Sequence, residues 1–105
     1  MALALANRYA SALAEVVTQT GSTVTGEAAL GQLHDFQHTL KVSDELRNIL
    51  ESPAVAPADK RKLIARVTEH LKISAIVRNF LYVVIDHRRV TLLGDMIDAL
   101  QSWID

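Results

Sequence analysis

The hydrophobic residues of this chain recur at helical spacing in six successive stretches. Apolar positions three and four residues apart fall on one face of an α-helix, which turns by about 100° per residue. The predicted helices cover residues 2–20, 26–42, 44 to just before Pro53, 57–71, 75–88 and 91–104. The last helix has the fullest apolar stripe, which comprises Leu92, Leu93, Met96, Ile97, Leu100, Trp103 and Ile104.

Residues that favour helix ends stand at the boundaries of these stretches. Gly21 follows the first helix, where a left-handed C-terminal cap is expected. Thr25, Ser43 and Ser74 each precede a helical stripe and are expected to accept a hydrogen bond from an amide of the first turn. Pro57 suits a helix start, so the residues just before it are predicted to form an extended connector. The sequence therefore predicts an all-α fold, a single six-helix bundle over residues 1–105.

The composition supports one globular domain and excludes several classes of protein. The chain has 105 residues, of which 50% are hydrophobic, a formal net charge of −1 and no cysteine. Without cysteine there is no disulfide framework, thiolate metal site or cysteine nucleophile. The near-zero charge gives no overall field that would attract nucleic acid or an anionic membrane. Unbroken apolar runs such as residues 80–85 are far shorter than the roughly 20 residues of a bilayer span, so no membrane insertion is predicted.

No constellation of reactive groups points to catalysis. The loop 21–26 has two glycines, but it lacks the lysine and the preceding strand of a phosphate-binding loop. His34 and His38 lie one turn apart, a spacing that can chelate zinc, yet no local pattern marks a third ligand. A solvated helix face is the simpler interpretation of this pair, and a small metal enzyme built on it is an alternative. We predict no catalytic residues, no cofactor and no metal.

A basic cluster at the start of the fourth helix comprises residues 60–62 and Arg66. It has no interleaved aromatic residues that would stack on bases, so we predict no nucleic-acid partner.

The first and fifth helices carry more hydrophobic surface than a helix needs in order to face one core. A surface helix of a small bundle shows an apolar arc somewhat over 100° wide, whereas the apolar residues of these two helices sweep roughly 200°. One explanation is that both helices are central and packed on two sides. The other is that half of each arc lines an exposed groove for an amphipathic helix of a partner.

The groove interpretation assigns particular side chains to this surface. Large contacts would come from Leu5, Tyr9 and Val16 on the first helix and from Ile76, Phe80 and Val83 on the fifth. Small side chains would let another helix backbone approach closely, and these are Ala6, Ala10 and Ala12.

Two stretches have a distinctive residue order. They are Asn-Arg-Tyr-Ala-Ser-Ala-Leu-Ala-Glu at residues 7–15 and Arg-Asn-Phe-Leu-Tyr-Val-Val-Ile-Asp-His-Arg-Arg at residues 78–89. In these two stretches the chain resembles the delta subunit of the F-type ATP synthase, whose mitochondrial counterpart is the oligomycin sensitivity conferral protein. Members of that family run to roughly 180 residues, so the resemblance implies the N-terminal domain of a longer subunit, with the C-terminal domain absent from this chain.

The resemblance implies a mechanical role and no catalysis. In the family the N-terminal domain is a six-helix bundle on top of the catalytic head, where its first and fifth helices bind the N-terminal helix of an alpha subunit. The subunit belongs to the peripheral stalk, the stator of the proton-translocating enzyme, and the stalk's b subunit would engage the missing C-terminal part. The implied location is peripheral, on the cytoplasmic face of the bacterial plasma membrane, or on the matrix or stroma side in an organelle.

Position by position, the resemblance places Tyr9, Ala12, Asn79, Phe80 and Val83 against the alpha helix, with Asp86 at the rim facing a basic side chain. Helical periodicity adds Leu5, Val16 and Ile76 to this set. The expected partner-binding residues are then Leu5, Tyr9, Ala12, Val16, Ile76, Asn79, Phe80, Val83 and Asp86. Residues expected to turn inward are Val77, Leu81, Val84 and Ile85. Arg88 departs from the family, where many members have a small residue such as glycine, and this leaves the end of the fifth helix open.

An adaptor with a death-domain-like six-helix fold is an alternative from another functional class. Such a protein would bind a homologous fold through charged patches, here the cluster between Lys60 and Arg66. Replacing those charges would then abolish association, whereas the groove interpretation expects Tyr9→Ala to do so.

Overall fold

The computed structural model describes residues 2–104, which form six α-helices and no strand. The helices are α1 (Ala2–Thr18), α2 (Gly26–Val42), α3 (Asp44–Glu51), α4 (Pro57–His70), α5 (Ala75–Asp86) and α6 (Leu93–Ile104). A short 3-10 helix, Val90–Leu92, leads into α6. The predicted all-α six-helix bundle is confirmed.

Short polar side chains begin three of the helices, as the sequence predicts. The amide of Ala28 donates to Thr25 Oγ1 over 3.1 Å, and the amide of Leu46 donates to Ser43 Oγ over 3.2 Å. Ser74 Oγ accepts from Val77 at the start of α5. Each bond satisfies one of the amides that the first turn of a helix leaves without an intrahelical acceptor. Pro57 occupies the first turn of α4, where its missing N–H is not needed.

Helix ends differ more from the sequence prediction than helix starts do. The fifth helix, whose end the sequence leaves open near Arg88, ends at Asp86, and Arg88 adopts a left-handed backbone with φ of 58°. The first helix ends at Thr18, two residues earlier than expected, although Gly21 has the predicted positive φ, at 89°. The last helix starts as a 3-10 turn at Val90 and becomes α-helical at Leu93.

The core lies between α1, α2, α5 and α6. Phe36 of α2 and Leu100 of α6 are almost fully buried, and α1 lies along α6. Ala6 of α1 packs with Val84 and Met96, so the small alanine side chains bring α1 close to its own bundle. The middle of the predicted stripe of the last helix, from Leu93 to Leu100, is buried, whereas Leu92 and Ile104 are half-buried and Trp103 is 60% exposed. No helix within residues 2–104 is long and apolar enough to cross a membrane.

Helix α5 is held by α2 at its start and by α4 along its length. Gln32 Oε1 of α2 accepts hydrogen bonds from the amide and the hydroxyl of Ser74, over 2.9 and 2.8 Å. The four residues expected to turn inward are all buried, and they are Val77, Leu81, Val84 and Ile85. One side of α5 is therefore anchored in the core, and the opposite side remains available.

Candidate functional site

An apolar groove runs between α1 and α5 and is called the α1–α5 groove below. Its volume is about 410 Å³. The lining residues are Arg8, Tyr9, Ala12, Leu13, Val16, Ile76, Asn79, Phe80 and Val83. Seven of these nine side chains are hydrophobic, and the two polar ones, Arg8 and Asn79, are exposed to solvent.

The groove is open because its two walls pack mainly on other helices. α1 lies along α6, and α5 packs mainly on α4. The facing sides of α1 and α5 meet through an edge contact between the rings of Tyr9 and Phe80, whose centroids are 6.4 Å apart at 76°. Val16 is 40% exposed and Val83 is 46% exposed. The explanation that both helices are packed on two sides therefore does not hold for this half of their apolar arcs.

Tyr9 is positioned from behind by the turn that follows α5. Arg89 Nη1 donates a hydrogen bond of 2.8 Å to the Tyr9 hydroxyl, and the guanidinium carbon lies 5.5 Å from the centroid of the tyrosine ring. A charged donor and a ring contact together restrict the tyrosine rotamer. The ring thus forms a fixed part of the groove in the unbound domain.

The structure brings seven of the nine expected partner-binding residues together in the groove. They are Tyr9, Ala12, Val16, Ile76, Asn79, Phe80 and Val83. Leu5 is half-buried and does not line the groove, and Asp86 also lies outside it.

Sequence reasoning missed Arg8 and Leu13 as groove residues. On a helical wheel Arg8 falls on the polar side, but a long side chain can reach the edge of a neighbouring groove. Leu13 is only 3% exposed and forms part of the groove floor. Ala6 and Ala10, expected in the groove, are instead buried in the bundle core at 0% and 1% exposure.

Asp86 is already engaged within the domain. Arg61 of α4 holds its carboxylate through Nη2 at 2.6 Å and through Nε at 3.2 Å from each oxygen. The hydrogen bond from Arg61 lowers the pKa of Asp86 below its ordinary value, and the same pair raises the pKa of Arg61. A basic side chain of a partner would have to compete with Arg61 for this carboxylate.

The expected basic patch between Lys60 and Arg66 is not one continuous surface. Lys60 is only 4% exposed, because it lies on the face of α4 that also buries Ile64 and Thr68. The adaptor alternative depends on this patch, and the burial of Lys60 removes part of its proposed binding surface.

His34 and His38 are exposed on α2, and no group of three possible metal ligands is found among residues 2–104.

Comparison with known proteins identifies the family. Residues 5–105 match the family described as "ATP synthase delta (OSCP) subunit". The chain is 33% identical over 101 residues to an "ATP synthase subunit delta" of Magnetococcus marinus, with 96% of this chain and 53% of the relative covered. It is 38% identical over 86 residues to the protein of the same name in Koribacter versatilis, with 82% of this chain and 47% of the relative covered.

A third relative extends the same pattern. An "ATP synthase subunit delta" of Agrobacterium fabrum is 35% identical over 98 residues, which cover 93% of this chain and 50% of the relative. No solved structure matches the chain with statistical significance. The chain spans about half the length of the curated relatives it matches. Because the family match extends over nearly all of its residues, the chain belongs to the ATP synthase delta (OSCP) subunit family.

Proposed function

We propose that this domain is part of a non-catalytic stator subunit of an F-type ATP synthase and that its α1–α5 groove binds the N-terminal helix of an alpha subunit. The observation that carries the proposal is the open apolar groove itself, with exposed Val16 and Val83 on opposite walls. Exposed apolar surface concentrated in one concave site is typical of a binding site for an amphipathic helix.

The apolar lining of the groove, bordered by polar side chains, suits one face of an amphipathic helix. A helix that buries three or four apolar side chains there would gain roughly 2 kcal/mol for each of them before the cost of association is subtracted. That balance allows micromolar or tighter binding. Arg8 and Asn79 border the apolar floor and would face the polar flanks of the bound helix. The fixed Tyr9 ring reduces the side-chain entropy that is lost on binding.

Binding to an alpha subunit would give this domain a mechanical role at the catalytic head. Rotary synthesis requires the ring of alpha and beta subunits to be held still against the torque of the rotor. A domain bound to an alpha subunit supplies the head-side end of that connection. We assign the contact with the b subunit of the stalk to the part of a full-length family member that lies outside the residues matched here. The assembled subunit would then be peripheral to the membrane, on the cytoplasmic face in a bacterium.

Cosedimentation with the catalytic head tests the proposal. The domain is mixed with the cognate alpha–beta head, either intact or after removal of the alpha N-terminal segment, and the bound fraction is measured. We expect binding to the intact head and its loss from the trimmed head. Tyr9→Ala should weaken binding to the intact head, because it removes an aromatic ring that lines the groove beside Phe80 and that the bound helix would contact. Equal binding to both forms of the head would contradict the proposal.

A further inference from the structure

The backbone of Arg89 is fixed on both sides at the turn that follows α5. Its amide donates to the carbonyl of Val84 over 2.9 Å, and its carbonyl accepts from the amide of Leu92 over 2.9 Å. Val84 and the next residue in the chain, Val90, are both buried. The Arg89 side chain therefore extends from a backbone position that the core determines.

This side chain contacts Tyr9, which lies 80 positions earlier in the sequence. Arg89 Nη1 donates to the Tyr9 hydroxyl over 2.8 Å in a partly buried hydrogen bond, and the guanidinium carbon lies 5.5 Å from the ring centroid. Among residues 2–104, no Asp or Glu forms a salt bridge with Arg89. Arg89 itself does not line the α1–α5 groove, whereas Tyr9 does.

The helices around this contact are held together by core packing. Ala6, which lies about one turn before Tyr9 on α1, packs with Val84 of α5 in a buried cluster. Tyr9 and Phe80 pack against the same cluster. Because the core already fixes α1 against α5, the contact with Arg89 acts mainly on the rotamer of Tyr9 and less on the position of either helix.

The rotamer of Tyr9 decides whether its ring lines the groove. A tyrosine on a helix has two common χ1 rotamers, at about 180° and about −60°. The rotamer in the structure places the ring against Phe80 and the hydroxyl against Arg89. A rotation of about 120° would carry the hydroxyl out of reach of Arg89 and separate the two rings. The charged hydrogen bond therefore favours the rotamer that lines the groove.

We propose that Arg89 is a positioning residue of the α1–α5 groove, which holds Tyr9 in its groove-lining rotamer before a partner binds and so sets the affinity for an amphipathic helix. This inference rests on the proposed function of the groove as a helix-binding site. When only a fraction of the molecules has the binding-competent conformation, the apparent affinity falls by that fraction. Arg89 thus contributes to affinity from outside the groove.

The rotamer of Tyr9 in the unbound domain gives the first test. Three-bond scalar couplings to its β protons measure the χ1 populations. We expect one dominant rotamer in the parent chain, averaged couplings in Arg89→Gln, and partial recovery in Arg89→Lys, which keeps a charged donor. Arg88→Gln removes the neighbouring exposed cation from the same turn and should leave the couplings unchanged. Averaged couplings in the parent chain, or unchanged couplings in folded Arg89→Gln, would overturn the inference.

The affinity for a synthetic peptide of the alpha N-terminal segment gives the second test. Arg89→Gln should weaken binding by about fivefold, while Arg88→Gln should stay within about twofold of the parent chain. Tyr9→Phe removes the hydroxyl and keeps the ring. The double variant of Tyr9→Phe and Arg89→Gln should lose less than the product of the two single losses, because both changes remove the same hydrogen bond. Losses that multiply would show that Arg89 acts independently of Tyr9 and would contradict the proposal.

The two measurements distinguish this inference from the proposed function. Absence of peptide binding by the folded parent chain would overturn the proposed function, and the χ1 populations would still decide whether Arg89 positions Tyr9. Equal affinities of the parent chain and Arg89→Gln would overturn the inference alone. Circular dichroism of each variant checks that the bundle remains folded.

Discussion

Lys72 and Arg88 hold a backbone conformation that glycine usually holds at the end of a helix. Their φ angles are 59° and 58°. After each residue the next amide donates back to a carbonyl five residues earlier, from Ile73 to Thr68 over 2.8 Å and from Arg89 to Val84 over 2.9 Å. This is the Schellman pattern, which satisfies carbonyls at the helix end. A side chain with a β-carbon is strained in this region, so the packing around both turns must overcome a local cost.

Replacing Arg88 by glycine should therefore stabilise the domain. We expect Arg88→Gly to raise the free energy of unfolding by about 0.5–1 kcal/mol, since the relief of strain exceeds the entropy that glycine adds to the unfolded chain. Urea denaturation measures the change. Lys62→Gly is the matched control, because it removes a cation from inside α4 and should lower the free energy of unfolding by about 1 kcal/mol. A loss of stability in Arg88→Gly would contradict this account of the turn.

The sequence predicts helix starts better than helix ends for a residue-level reason. Thr25, Ser43 and Ser74 each act through one side-chain hydrogen bond to a nearby amide, so their role is evident from local order. The left-handed turn at Arg88 depends on packing of the whole bundle and has no glycine to mark it. For this reason the sequence alone does not show that the fifth helix ends at Asp86.

The contact between α4 and α5 includes an ion pair whose effect depends on pH. Because Arg61 lowers the pKa of Asp86 in the folded state, the pair stabilises the fold above the ordinary carboxyl pKa of 3.8. As the pH falls through the lowered pKa of the folded state, Asp86 becomes protonated and this contribution is lost. The effect is small, because side chains of both partners are partly exposed, at 51% and 30%.

Asp86→Asn tests this pair. At pH 7 the variant should have a melting temperature lower by a few degrees at most, and the difference from the parent chain should disappear as the pH falls below 3.8. Thermal unfolding followed by circular dichroism between acid and neutral pH gives both quantities. Asp98→Asn, a change at an exposed site on α6, should show no such pH-dependent difference. A difference that grows at acid pH would be inconsistent with the assigned sign.

Helical periodicity predicts which helices have surplus apolar surface, but it does not predict what covers each side. The broad arcs of α1 and α5 are visible in the sequence, and most of the groove residues follow from them. The burial of Ala6 and Ala10 depends on how closely α6 packs, and the engagement of Asp86 depends on Arg61, which is 25 residues away. Such contacts between elements distant in the sequence have no local pattern.

On the scale of the whole molecule, the two long sides of α5 differ in chemistry. The side toward α1 forms the apolar α1–α5 groove, to which α5 contributes Phe80 and Val83. On the side toward α4, the guanidinium groups of Arg61 and Arg78 lie against the Tyr82 ring. Buried Val77 and Leu81 anchor the helix in the core, so the groove wall belongs to an element that is fixed in the bundle. The central claim is that the groove is a preformed site for the alpha N-terminal helix.

Calorimetric titration of the domain with a synthetic peptide of about the first twenty residues of the cognate alpha subunit tests that claim most directly. We predict saturable one-to-one binding, weakened at least about tenfold by Val83→Asp, which places a carboxylate on the apolar wall, and similarly by Tyr9→Ala. Val42→Asp makes the same chemical change at a 70% exposed site outside the groove and should leave the affinity within about twofold. Absence of binding by the folded domain, or equal losses for Val83→Asp and Val42→Asp, would contradict the account.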